Sequence, residues 1–218
     1  VYPPQDVLTF DLVRGTLRRQ TYQGNSLYAI WGPRADWITF SSDVSGVRSL
    51  RTKPLDSEEG EKMLLPSRDT GRFRPNAWSA DGSILTFVEA NEETGFDISL
   101  LRATGESESY LTTRFSEEYP ELSPDGKWMI YSSSETGRPE VYVRPFPGPG
   151  PSMQISLSGG LEPAWSRDGD EIFYRWRSQF YAASFRVVDG RATAAAPQEL
   201  FEGDYGSSFA VRSYDVSS

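Results

Sequence analysis

The 218-residue chain contains no cysteine and no histidine. Without cysteine there is no disulfide, no thiol nucleophile and no zinc–thiolate site. A large β domain needs no disulfide in either redox environment, so this absence leaves the compartment open. Without histidine, neither a Ser–His–Asp triad nor a His-ligated metal site can be built within these residues. General acid–base chemistry would fall to Asp, Glu, Tyr or Lys. No apolar run is long enough to cross a membrane as a helix. The opening residues, Val1 to Asp6, do not form a signal peptide. With no initiating Met, a processed chain or a piece of a longer one is expected. Positive charge is also short: 22 basic residues face 31 acidic ones, for a net charge of −9. That balance disfavours nucleic acid and anionic lipid as partners and suits a soluble surface.

What the chain has in quantity is turn-forming residues and aromatics. There are 19 Gly and 15 Pro, and 13% of residues are aromatic, the pattern of many short strands joined by tight turns. One phrase recurs four times: Trp31-Gly-Pro-Arg-Ala35, Trp78-Ser-Ala-Asp-Gly82, Leu122-Ser-Pro-Asp-Gly126 and Trp165-Ser-Arg-Asp-Gly169. The starts lie 47, 44 and 43 residues apart (31, 78, 122 and 165), and an apolar run follows each: Trp37–Phe40, Ile84–Phe87, Trp128–Tyr131 and Glu171–Tyr174. A period in the forties with four strands per unit marks a β-propeller blade. The expected fold is therefore all-β, a propeller of four-stranded antiparallel blades. Whole blades are expected over 25–66, 72–113, 117–157 and 160–202. Residues 1–24 supply two outer strands of a partial blade, and 209–218 the first strand of a further one. Either the ends join to complete about five blades, or the chain is a piece of a larger propeller. The second is preferred, because the blade closed by the two ends would lack its second strand. Open blade edges then favour self-association.

Trp31, Trp78 and Trp165 repeat in register with the strands, so they are expected to pack blade against blade and not to form a ligand platform. The Asp-Gly pairs lack the dense acidic spacing of a calcium loop and fit turn chemistry, with Asp bonding back to the backbone and Gly in the left-handed region. No cofactor or metal is expected.

The third unit, Leu122-Ser-Pro-Asp-Gly-Lys-Trp-Met-Ile-Tyr131, resembles the WD40-like repeat of the TolB type, whose core is Trp-Ser-Pro-Asp-Gly followed by a basic residue and an apolar strand. The second unit departs at Ala80, the fourth at Arg167, and the first has Arg34-Ala35 in place of Asp-Gly. The resemblance covers nearly the whole chain and implies fold more than activity. Such repeats occur in TolB itself, a periplasmic protein-binding propeller, in bacterial receptor-like serine/threonine kinases, and in the non-catalytic propeller of prolyl-oligopeptidase-like peptidases. The run Gly159–Trp165 and the closing Tyr214-Asp-Val-Ser217 most resemble the kinase-linked set. No Gly-rich nucleotide loop, His-Arg-Asp or Gly-x-Ser-x-Gly elbow is present, so any catalytic domain lies outside these residues.

The resemblance implies a bacterial, non-catalytic binding or sensory module, extracytoplasmic or periplasmic, with a protein or peptide partner. Propellers bind at the mouth of the central channel, where inner strands begin. Counting back from the repeat Trp gives Tyr28, Arg74, Glu118, Tyr119 and Glu162, and the terminal strand adds Arg212, with Tyr214 beside it. This mixture of arginines, carboxylates and tyrosines suits a peptide or polar ligand. The alternatives are a peptidase propeller that gates substrate access and a five-bladed glycoside hydrolase. Glu118, Glu121 and Glu162 could supply the two carboxylates of a hydrolase. They sit at unequal positions, however, and such hydrolases lack the repeat.

Overall fold

The computed structural model describes residues 5–44, 46–55, 57, 59–66, 72–206 and 212–216. All regular elements among them are strands. A two-stranded hairpin, β1 (Leu8–Asp11) and β2 (Thr16–Arg19), precedes four antiparallel sheets. The first sheet orders β3 (Asn25–Trp31), β4 (Trp37–Val44), β5 (Val47–Pro54) and β6 (Lys62–Pro66). The second holds β7 (Phe73–Trp78), β8 (Ile84–Asn91), β9 (Gly95–Arg102) and β10 (Ser107–Leu111). The third holds β11 (Glu117–Leu122), β12 (Trp128–Ser133), β13 (Glu140–Pro145) and β14 (Met153–Gln154). The fourth has five strands: β15 (Leu161–Trp165), β16 (Glu171–Trp176) and β17 (Gln179–Val188), with β18 (Arg191–Ala194) and β19 (Gln198–Glu202) both on β17. The ten residues of β17 allow this, since Gln179–Ala182 pair with β19 and Phe185–Val188 with β18.

The core lies between sheets. Leu50 and Leu65 of the first meet Phe73, Leu85, Phe87 and Leu101 of the second. Val88, Ile98 and Leu100 of the second meet Met129, Tyr131 and Tyr142 of the third. Ile130, Val141 and Val143 of the third meet Trp165, Ile172 and Phe185 of the fourth. The hairpin joins the stack by Val7, which packs on Ile38 and Phe40. A strand with a neighbouring sheet on each side is covered on both faces, which is why no residue of β8 or β12 is exposed.

The repeated phrase forms the turn between first and second strands. Ser79 Oγ donates to Asp81 and accepts the backbone N–H of Ile84; Ser123 does the same with Asp125 and Trp128. Gly82, Gly126 and Gly169 take φ of 73°, 68° and 74°. The first unit keeps the turn without its glycine. Ala35 adopts φ 54°, and its N–H bonds to the Gly32 carbonyl at 2.9 Å.

Three expectations need correction. Residues 212–216 are not a strand; the rest of the strand expected over 209–218 lies outside the described residues. The Ser213 N–H is taken by the Glu162 carboxylate at 2.6 Å and is lost to a ladder. The last strand of the third sheet ends at Gln154, short of the end of the blade expected over 117–157, because the Val141 N–H turns to Ser156 Oγ. Trp31 does not pack between blades. Trp78 donates its indole N–H to Thr39 and Trp165 to the Glu121 carbonyl, each in the preceding sheet. Trp31 is preceded only by the hairpin, which has no inner strand among the described residues, and it stays 50% exposed.

Candidate functional site

Each first strand is interrupted at one repeat position, where two residues face a single partner on the second strand. Tyr28 and Ala29 oppose Phe40, Pro75 and Asn76 oppose Phe87, Tyr119 and Pro120 oppose Tyr131, and Glu162 and Pro163 oppose Tyr174. The lone partner is a buried aromatic every time. Tyr28, Tyr119 and Glu162 take φ of 56°, 57° and 55°. Non-glycine residues rarely hold that left-handed conformation, and such bulges re-aim side chains. Three of the six residues expected at the channel mouth are thus the leading residues of bulges.

Two cavities flank this ring of bulges. The first, about 690 Å³, gathers residues from the beginnings of β7, β11 and β15. It brings together Arg74, Glu118, Tyr119 and Glu162. Tyr28 lies alongside, its ring 5.6 Å from the Arg74 guanidinium, in an adjoining pocket that Arg74 also lines. Arg212 is not part of this group and lines the second cavity.

Arg74 is held from three directions. It pairs with Glu118 at 3.1 Å and lies 3.9 Å from the centre of the Phe96 ring as well as beside Tyr28. Burial pushes the Glu118 carboxyl above its ordinary range, against the pull of Arg74. Burial, reinforced by the charges of Glu118 and Glu162, raises the Tyr119 phenol far enough to keep it a neutral donor. Glu162 is buried and accepts both the N–H and the hydroxyl of Ser213 at 2.6 Å. Arg175, also buried, donates to Ser213 Oγ at 2.8 Å, to the Arg177 carbonyl at 2.9 Å and to the Gly206 carbonyl at 3.3 Å. It ties residues 203–206 and 212–216 to the fourth sheet. Trp176 and Tyr205 complete the wall.

The second cavity, about 540 Å³, draws on the later halves of β3, β7 and β11 and on residues 212–215. There Arg212 donates to Glu121 at 2.5 Å and lies 3.5 Å from Asp215. Tyr119 lines both cavities. Among the described residues, no three His, Cys, Asp or Glu are placed to hold a metal ion.

Counting back along the repeat found four of the five first-strand residues that line the first cavity, all but Leu161. It missed Phe96, Arg175 and Trp176, which come from second and third strands. Arg175 carried a signal: its counterparts in the other units are Ser41, Val88 and Ser132, and a long cation at that position breaks the repeat.

No family model matches the chain. Among solved structures, TolB from Acinetobacter baumannii superposes with a TM-score of 0.67 at 18% identity, over 88% of this chain and 49% of that one. An oligogalacturonate lyase in complex with manganese gives 0.64 at 12% identity, over 89% and 60%. A puromycin-hydrolyzing peptidase from Mycobacterium tuberculosis gives 0.62 at 15%, over 85% and 34%. The fold is a TolB-like β-propeller. The chain spans about half the length of the TolB it matches. Its neighbours include enzymes as well as TolB, so the likeness carries the architecture and not an activity.

Proposed function

We propose that this propeller is a non-catalytic binding module that takes an extended segment of a partner protein across the first cavity. The observation that carries the reading is the fixed Arg74. Its guanidinium is stacked on Phe96, flanked by Tyr28 and paired with Glu118 before any ligand arrives. Pre-ordered arginine and aromatic groups are what interface hot spots are made of, because little side-chain entropy is lost on binding. Trp176 and Tyr205 add aromatic surface, and Tyr119 a neutral hydroxyl, within the same concave wall. The acidic surface adds a preference for basic segments. The parent is a multidomain bacterial protein working outside the cytoplasm, in the manner of TolB or of a receptor-like kinase. In it this segment senses or docks and leaves chemistry to other domains.

The test is selection from a bead-displayed library of random nonapeptides, followed by affinity measurement with Arg74→Ala and Tyr205→Ala. Selected peptides should lose at least about tenfold in affinity on Arg74→Ala, as for a hot-spot residue. Tyr205 is more than half exposed and tests the same wall with little cost to folding. Peptides that bind both variants as tightly as the parent would sink the reading, as would a library that yields no binder.

A further inference from the structure

The second cavity has a different chemistry from the first. Its two carboxylates, Glu121 and Asp215, face a single guanidinium, Arg212, so its charged lining carries an excess of one negative charge. Arg212 is already engaged by both. The backbone around it is short of donors, because Pro75, Pro120 and Pro163 occupy one place in three of the four bulge pairs and have no N–H. The remaining place of the second pair is Asn76, whose Oδ1 is buried and has no hydrogen-bond partner. The equivalent positions in the other units are Ala29, Pro120 and Pro163. An unanswered buried acceptor is costly, so a donor that reaches it is favoured. Four rings, Trp31, Trp78, Tyr119 and Tyr214, border the same space. Trp31 is the one half left exposed by the lack of an inner strand beside it.

We infer that this second cavity is a binding site for a primary alkylammonium group. Such a group brings three N–H donors to a lining of acceptors, a positive charge to a net negative lining, and an alkyl stem to proline and indole surface. The cation belongs against the ring faces with its N–H groups directed at Asn76 Oδ1 and the carboxylates. The same chemistry is carried by a lysine side chain of a partner protein and by a free aliphatic amine. The inference is separate from the proposed peptide site, with which it shares only Tyr119 among lining residues.

Titration of the whole chain with n-butylammonium chloride, followed by tryptophan emission at constant ionic strength, tests it. Saturable binding is expected, at least fivefold tighter than any response to the uncharged 1-pentanol. Asn76→Leu and, independently, Asp215→Asn should each weaken it severalfold. The Asp215 side chain is 89% exposed, so its variant keeps the test valid if Asn76→Leu disturbs folding. Tighter binding of Nα-acetyl-lysine methylamide than of putrescine would support a protein side chain as the source, and the reverse a free amine. A pentanol response equal to that of butylammonium, no saturation, or parental affinity in a folded Asp215→Asn variant would overturn the inference.

Discussion

Ala35 sits at φ 54° in the place that glycine holds in the other three turns. An L-residue in that region carries about 1–2 kcal/mol of strain. Glycine relieves it but gains freedom in the unfolded chain, which offsets part of the benefit. Ala35→Gly should therefore stabilise by up to about 1 kcal/mol in urea unfolding. A loss of stability would mean that the turn is not strained. A second residue effect concerns pH. Glu117 is buried, accepts from Thr113 and Ser133 through Oε1, and has no partner at Oε2. Burial raises its carboxyl above the ordinary value of 4.5. The folded state then binds the proton more tightly than the unfolded state, so this group favours folding at low pH. Its contribution is lost as pH rises through 4.5 and the raised folded value. Glu117→Gln should gain on the parent between pH 4.5 and 7 and lose that gain below. A stability difference independent of pH would show that charge is not the cost. At this scale the sequence was informative where the repeat gives an offset to count from: Arg74, Glu118, Tyr119 and Glu162 share one cavity. Arg212 lines the other cavity, because the Glu121 carboxylate, and not strand pairing, decides where that segment lies.

At the scale of the element, the four phrases foretold the sheets, since a turn signal followed by an apolar run specifies two strands and the link between them. The bulges were not legible. Tyr-Ala, Pro-Asn, Tyr-Pro and Glu-Pro share no residue type that marks a left-handed backbone. The constant feature lies across the ladder, in Phe40, Phe87, Tyr131 and Tyr174. Each ring fills the space that the doubled residues open. Phe87 is buried and meets Phe73 edge-on at 5.7 Å, so Phe87→Ala should cost about 3–5 kcal/mol. The repeated tryptophans should part company in the same assay. Trp165, 5% exposed and T-shaped against Phe185 at 5.1 Å, should cost about as much on truncation to Ala. Trp31→Ala should cost far less, since half of that side chain is already in water. Equal costs for the two would contradict the difference in packing.

Among the described residues, the molecule is a fan of sheets with an unmatched face at each end. On the hairpin, Leu8 and Phe10 stand across from Arg19 and Leu17, and all four are exposed. At the far end β19 is exposed along its length, with Leu200 and Phe201 between Glu199 and Glu202. Among the described residues, each outer strand is paired on one edge only. One end brings Arg14 and Arg18, the other Glu199 and Glu202, so hairpin and β19 of two copies complement each other in both apolar character and charge. Light scattering over a concentration series should detect association, and Leu17→Lys or Leu200→Lys should abolish it. A monomer at every concentration would show that the edges protect themselves. The repeat count, with an incomplete blade at each end, led to the expectation of open edges, but which residues line them depends on strand register, which no local pattern encodes. The tryptophan bridges have a consequence in time. Thr39 precedes Trp78, and Glu121 precedes Trp165, so each indole finds an acceptor already synthesised. The closing contacts of Arg212 to Glu121 and Ser213 to Glu162 also reach back. A chain leaving the ribosome can therefore lock each new blade onto structure already made.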